Sequence, residues 1–169
     1  MKYALSVLIF FLGASVSFGA TSESTYDSYN NAAYANLGFW EGGLAFGGDY
    51  EYAYDRIFGL GATARFYSKD SNSNGSGRSS LFVLGGFIRP HFNRREWDFY
   101  VSPGFNLMII DGPNDDETVL GPSINYGLLY QIKRNVAVGV ENSLFVGWFN
   151  NDYRGVRHLD LLAKARFSF

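Results

Sequence analysis

The side chains able to do acid–base or nucleophilic chemistry are few: two histidines, His91 and His158, and no cysteine. Acyl transfer by a hydroxyl nucleophile needs a serine, a histidine and an acid within hydrogen-bonding reach of one another. His158 is followed by Leu159-Asp160, with no serine two residues on, and His91 stands near Asp98 beside the turn-like Asn93-Arg-Arg-Glu96, where an ion pair is the simpler reading. The absence of cysteine removes thiol catalysis, disulfides, Cys-ligated metals and a lipidated N-terminal cysteine. Asp111-Gly-Pro-Asn-Asp-Asp-Glu117 offers the oxygen ligands that calcium favours, but it misses the glycine and glutamate positions of an EF-hand loop, so a solvated acidic loop is expected. Gly59-Leu-Gly-Ala-Thr-Ala64 looks superficially like a dinucleotide fingerprint, yet strand alternation continues through it and no helix follows. No catalytic residue, cofactor or metal is expected, and a net charge of −2 without a basic cluster argues against nucleic acid.

A second group of polar residues carries more information through its spacing. Asp49, Glu51, Arg65, Arg89, His91, Asp98, Glu141, Asp160, Lys164 and Arg166 all fall on the polar side of a two-residue alternation whose other side is apolar. The last eleven residues show the pattern clearly: Leu159, Leu161, Ala163, Ala165, Phe167 and Phe169 point one way, and Asp160, Lys164, Arg166 and Ser168 the other. Upstream, Leu44, Phe46, Tyr50, Tyr52 and Tyr54 oppose Ala45, Asp49 and Glu51; Phe58, Leu60 and Phe66 oppose Gly59, Gly61, Thr63 and Arg65. A further strand is read from Leu81 to Phe92, then one with Trp97, Phe99, Val101, Phe105, Leu107 and Ile109 on a face opposite Asp98, Tyr100, Ser102 and Asn106. Ile124, Tyr126, Leu128 and Tyr130 oppose Ser123, Asn125, Gly127 and Gln131, and Val136, Val138 and Val140 oppose Gly139 and Glu141.

The first twenty residues have a different character. Lys2 precedes an apolar stretch from Tyr3 to Leu12, followed by small residues at Ser15, Ser17, Gly19 and Ala20, the layout of a cleavable signal peptide over 1–19. Cleavage after Gly19 is favoured over cleavage after Ala20, which would put Phe18 at a position reserved for small side chains. The apolar run falls well short of the roughly 20 residues that span a bilayer. Residues 20–35 read as a polar leader that turns into the first strand near Asn31, and 36–169 as the folded domain.

Connections between the strands alternate in length. Residues 54–56, 93–96 and 133–135 are tight turns, whereas the polar stretch 68–80 and the acidic stretch 111–117 are long loops. An antiparallel meander through a membrane has short turns on one side and longer loops on the other. Only a closed barrel satisfies every backbone group in lipid. With strands of this length, eight is the even number that fits: the expected fold is all-β, an eight-stranded antiparallel up-and-down transmembrane β-barrel. Pro90, Pro103 and Pro122 fall inside strands, where bulges or strand ends are expected. A soluble β-sandwich or lipocalin-like cup is the competing architecture.

On these features, together with Gly-Gly-Asp-Tyr-Glu-Tyr at 47–52, Phe-Gly-Leu-Gly at 58–61 and the terminal Phe169, the chain resembles the small eight-stranded outer-membrane barrels of the OmpA/OmpX type, the broad outer-membrane β-barrel domain family. The resemblance implies residence in the outer membrane of a Gram-negative-type bacterium, in contact with lipid and lipopolysaccharide. It further implies recognition by the barrel-insertion machinery through the last strand, where Leu161, Ala163, Ala165, Phe167 and Phe169 match the family's alternation. Trp40, Trp97, Trp148, Tyr50, Tyr52 and Tyr54 are expected to form aromatic belts at the two interfaces. A monomer is expected, with any surface ligand meeting loops 68–80 and 111–117.

Hairpin arithmetic then brings the interior charges together. Folding about residues 94 and 95 sets His91 opposite Asp98, and folding about 152 and 153 sets Glu141 opposite Lys164. Glu51 is expected to face Gly59 and Glu141 to face Gly127, leaving space into which Arg166 or Lys164 could reach. The favoured consequence is a salt-bridge network that plugs the lumen of a non-enzymatic barrel with a structural or surface-interaction role. Eight strands leave an interior just filled by side chains, which weakens the alternative of a narrow pore or small-solute channel. A lipid A-modifying enzyme is the second alternative, disfavoured by the missing serine beside His158.

Overall fold

In the computed structural model, which describes residues 29–40, 43–70, 78–111, 116–149 and 157–169, the period-two segments become eight strands. They are β1 (Asn31–Trp40), β2 (Gly43–Ala53), β3 (Phe58–Asp70), β4 (Arg78–Arg94), β5 (Trp97–Asp111), β6 (Asp116–Lys133), β7 (Val136–Val146) and β8 (Arg157–Ser168). Each pairs antiparallel with its sequence neighbour, and β1 pairs with β8 to close the barrel. Closure leaves no edge with unpaired backbone donors and acceptors, the condition for crossing lipid with strands. The proposed signal peptide lies outside the described residues. Asn31–Ala35 belong to β1, so the barrel starts earlier than a boundary at residue 36 implies.

The distribution of side chains is inverted relative to a water-soluble protein. Leu37, Leu60, Ile88, Val140 and Leu161, on five different strands, are 44–60% exposed, while all ten charges singled out above are buried. A buried charge is the costly arrangement and an exposed apolar belt the aggregating one. Both become favourable when the exterior solvent is hydrocarbon and the interior supplies partners.

Three sequence expectations need correction. The stretches 68–80 and 111–117 are not loops throughout: Ser68 pairs with Ser80 and Asp70 with Arg78, and Asp111 pairs with Asp116. Ladder bonds use backbone groups alone, so strands whose side chains are polar on both faces persist where water surrounds them. Pro90 and Pro103 make no bulge. The β4–β5 ladder is interrupted between Phe87↔Gly104 and His91↔Tyr100, and it resumes in the same register. Pro122 sits just past the end of the β6–β7 ladder, which begins at Ser123↔Phe145, while remaining paired with Phe105 on β5. The missing donors thus face gaps or ladder ends. Hairpin registers differ as well: His91 pairs with Tyr100, Glu141 with Leu162, and Glu51 with Gly61. Each offset is two residues, which preserves the face of the side chain and changes its opposite number.

Candidate functional site

The lumen is built from the inward rows of long side chains on six strands, β2, β3, β4, β5, β7 and β8, and the glycines that make room for them. On β2, Asp49 and Glu51 project inward, and the space above Gly59 is occupied by the Glu51 carboxylate although its ladder partner is Gly61. The Phe87 ring occupies the space above Gly61, and the Tyr100 ring that above Gly127. Glu141 does pair with Gly127, but the vacancy there is taken by tyrosine rather than by Lys164 or Arg166. Gly59, Gly61 and Gly127 are therefore notches that receive a neighbour's side chain.

Arg89 lies at the centre. Its Nη2 donates to Asp49 Oδ2 at 2.8 Å, Nη1 to Glu51 Oε2 at 2.8 Å, and Nε to Ser102 Oγ at 2.7 Å. The guanidinium carbon stands 4.1 Å from the centroid of the Phe87 ring and 4.7 Å from those of Tyr34 and Tyr100. A planar cation that donates along its edges and stacks on its faces uses both properties that separate arginine from lysine.

Around it the remaining charges pair closely. Lys164 Nζ contacts Asp49 Oδ2 and Glu141 Oε2, each at 2.5 Å. Arg65 donates to Glu141 Oε1 at 2.5 Å and to Ser143 Oγ, and reaches Asp160 Oδ2 at 3.4 Å. Arg166 pairs with Asp98. His91 bridges two acids, with Nδ1 2.9 Å from Asp98 Oδ1 and Nε2 2.8 Å from Glu51 Oε1. Both expected pairings, His91 with Asp98 and Lys164 with Glu141, are thus made across a diagonal rather than directly opposite. Five carboxylates face four permanent cations, and a His91 ring donating from both nitrogens makes the count five to five.

Sequence reasoning put Thr63 and Tyr100 on the inward face but missed the bonds of their layer to the acids, and it missed an apolar layer altogether. Tyr34, Tyr67 and Tyr100 donate phenolic protons to Glu51 at 2.8 Å, Asp160 at 2.6 Å and Glu141 at 2.6 Å. Thr63 and Asn36 donate to Asp49. Their signal was position, since they share the inward parity of the charges. Towards the long-loop end, Ala45, Tyr67, Leu81, Val83, Met108, Val119, Phe145 and Leu162 pack as a buried apolar cluster. On β2, β3, β4, β5 and β7 its members lie on the loop side of that strand's charges. Apolar residues on the inward row look unremarkable in a sequence, because they lengthen an apolar run without marking a face.

The other sequence-selected residues are on the outer wall. Leu161, Ala163, Phe167 and Phe169 are exposed and Ala165 is half-buried on the lipid-facing row of β8 and its end. Tyr50, Tyr52, Tyr54 and Trp97 are exposed near the short-turn end, with Trp148 near the other. The backbone of Trp40 is in β1 and its side chain lies outside the described residues, as does that of His158. Among the described residues no group of three or more His, Asp or Glu side chains is arranged to hold a metal ion.

No family model matches the chain, and no curated protein matches its sequence. Solved structures do match. Neisserial surface protein A superposes with a TM-score of 0.63 at 17% identity, over 82% of this chain and 94% of that one. The N-terminal β-barrel domain of OprF from Pseudomonas aeruginosa gives 0.62 at 16% identity, over 83% of this chain and 98% of that one. The chain has the fold of the small outer-membrane barrels. Ail, the attachment invasion locus protein of Yersinia pestis, extends the group, with a TM-score of 0.50 at 11% identity over 82% of this chain and 95% of that one. An apolar belt around a closed eight-stranded barrel makes the outer membrane the solvent for which this exterior is built.

Proposed function

We propose that the protein is a non-enzymatic, monomeric outer-membrane scaffold whose lumen is plugged and whose long β3–β4 and β5–β6 connections, within 68–80 and 111–117, meet the surroundings. The observation that carries this reading is the filled interior, in which ten charges pair with one another and an apolar cluster lies beside them on the loop side. A permeating ion would have to displace paired charges and then cross a dry apolar layer, each a barrier by itself. The His91 ring has both of its nitrogens on carboxylates, which favours a structural over a catalytic role. The outward row from Leu161 to Phe169 fits the insertion signal that the family resemblance implies, and the exposed aromatic residues fit interfacial belts.

The loops would recognise a partner by charge. Asp111, Asp115, Asp116 and Glu117 place four acids and no base in one connection, which suits a cationic partner. Ail, of the same fold, has been solved with the heparin analogue sucrose octasulfate, a polyanion that this acidic connection would repel. Planar-bilayer recording tests the plug: the refolded barrel is expected to give no sustained single-channel conductance, and steady, sizeable openings would overturn the proposal.

A further inference from the structure

The short-turn rim carries a second charged site, on the outer wall. Arg94 at the end of β4 with Arg95 in the turn after it, and Lys133 at the end of β6 with Arg134 in the turn after it, are all exposed. The two turns are held side by side by Gln131, whose backbone N–H donates to the Glu96 carbonyl at 2.7 Å and whose side-chain amide donates to the Arg134 carbonyl at 3.0 Å. Immediately above the arginines, Phe92, Trp97, Phe99 and Leu128 line an open groove of about 490 Å³ on the lipid-facing wall. Phe92 and Phe99 lie as tilted rings 6.0 Å apart, and Trp97 is tilted against Tyr130 at 5.0 Å, so the aromatic wall of the groove is braced by ring contacts. Glu96 is the one carboxylate lining it.

The backbone adds an independent observation. Arg95 has φ of 56°, the left-handed conformation that a tight hairpin turn ordinarily gives to glycine or asparagine. Among the described non-glycine residues it alone has a positive φ. A long cationic side chain kept where glycine would be unstrained points to a use for that side chain.

We propose that this groove binds an anionic glycerophospholipid, with acyl chains along the Phe92–Leu128 wall and the phosphate between Arg94 and Arg95, Lys133 and Arg134 adding to the attraction. The proposal rests on the outer-membrane reading above; in such barrels the short turns lie on the periplasmic side, which is the side of the phospholipid leaflet. Basic side chains at a membrane surface each strengthen the attraction to an anionic lipid several-fold, arginine contacting phosphate with two parallel N–H groups.

Trp97 reports on its own groove. A variant that keeps it as the only tryptophan, W40F/W148F, is refolded into phosphatidylcholine vesicles containing a small fraction of either dibrominated phosphatidylglycerol or dibrominated phosphatidylcholine. Brominated phosphatidylglycerol is expected to quench Trp97 at about one-fifth the mole fraction or less, a fivefold preference corresponding to one basic contact. That preference should fall several-fold in R94Q/R95Q, leaving only what Lys133 and Arg134 contribute, and persist in R78Q, which changes a charge at the opposite end of β4. If R94Q/R95Q fails to fold, R95G serves instead, since glycine accepts the left-handed backbone; it should fold and show a clearly reduced preference. Equal quenching by the two lipids, or a preference indifferent to both variants, would overturn the site and leave the barrel intact. Absence of quenching by either lipid would overturn the membrane reading itself, and the site with it.

Discussion

Arg89 is the residue on which the interior depends most directly, because it donates to acids on one strand, to a hydroxyl on another, and stacks on rings from three. Removing it leaves Asp49 and Glu51 buried with one cation fewer between them. Breaking a buried pair by deleting one partner costs about 3–5 kcal/mol. R89A is therefore expected to lower equilibrium stability by that amount in urea titrations of the vesicle-embedded barrel, and R89K to recover only part, since an ammonium cannot donate along a planar edge while stacking on Phe87. Gly61 makes the complementary case: an added Cβ would meet both the Tyr50 carbonyl oxygen and the Phe87 ring. Overpacking of this kind costs about 1–3 kcal/mol, so G61A is expected to destabilise, and F87L to relieve only the part of the loss that the ring causes in the double variant. Additive effects in the G61A/F87L cycle would show that the two side chains do not share the space.

At the scale of the hairpin, the β4–β5 turn combines a strained residue with a strand pair whose ladder is interrupted at Pro90 and Pro103. Replacing Arg95 by glycine removes a left-handed backbone penalty of about 1–2 kcal/mol, partly offset by glycine's larger unfolded-state entropy. R95G should consequently be neutral to stabilising by up to about 1 kcal/mol in the same titrations. A clear loss of stability would mean that the arginine side chain makes a contact worth more than the strain. The hairpins also show where sequence reading stops. Parity placed His91, Asp98, Glu141 and Lys164 on one surface, and all four are buried in the lumen. Their ladder partners could not be assigned by folding the chain about the middle of a turn: in the β4–β5 hairpin the true turn residues are Arg95 and Glu96, and a shift of one residue in the turn centre moves every pairing by two. Long side chains then reach diagonally, so His91 and Asp98 meet although the ladder sets His91 against Tyr100.

For the whole molecule, closure and filling reinforce one another. β1 and β8 meet with Tyr34 against Arg166 and Asn36 against Lys164, and polar contacts in the lumen draw on every strand but β6 for the bonds to its carboxylates. Of the eight strands, the seven that supply these bonds cannot leave without unpairing a buried charge, and β6 is held between two of them by its ladders to β5 and β7. Unfolding is thus expected to be a single cooperative transition, seen as an unboiled band that migrates apart from the boiled chain and converts to it with no intermediate band on stepwise heating. Stepwise conversion would indicate that the network is divided. Salt should alter this transition little, because the interior pairs lie beyond the reach of counterions.

What the sequence determined by itself was the division of space. Alternation with a period of two, apolar on one side and charged on the other, leaves lipid outside and charge inside, and turn spacing leaves eight strands. That much is local, since it depends only on where each side chain points along its own strand. The tertiary structure decided the rest. Which acid meets which base, that Gly59, Gly61 and Gly127 are notches filled by Glu51, Phe87 and Tyr100, and that an apolar cluster lies beside the charges all depend on register and closure. Those are properties of strands taken together, set by turn geometry and by the stagger needed to join β1 to β8.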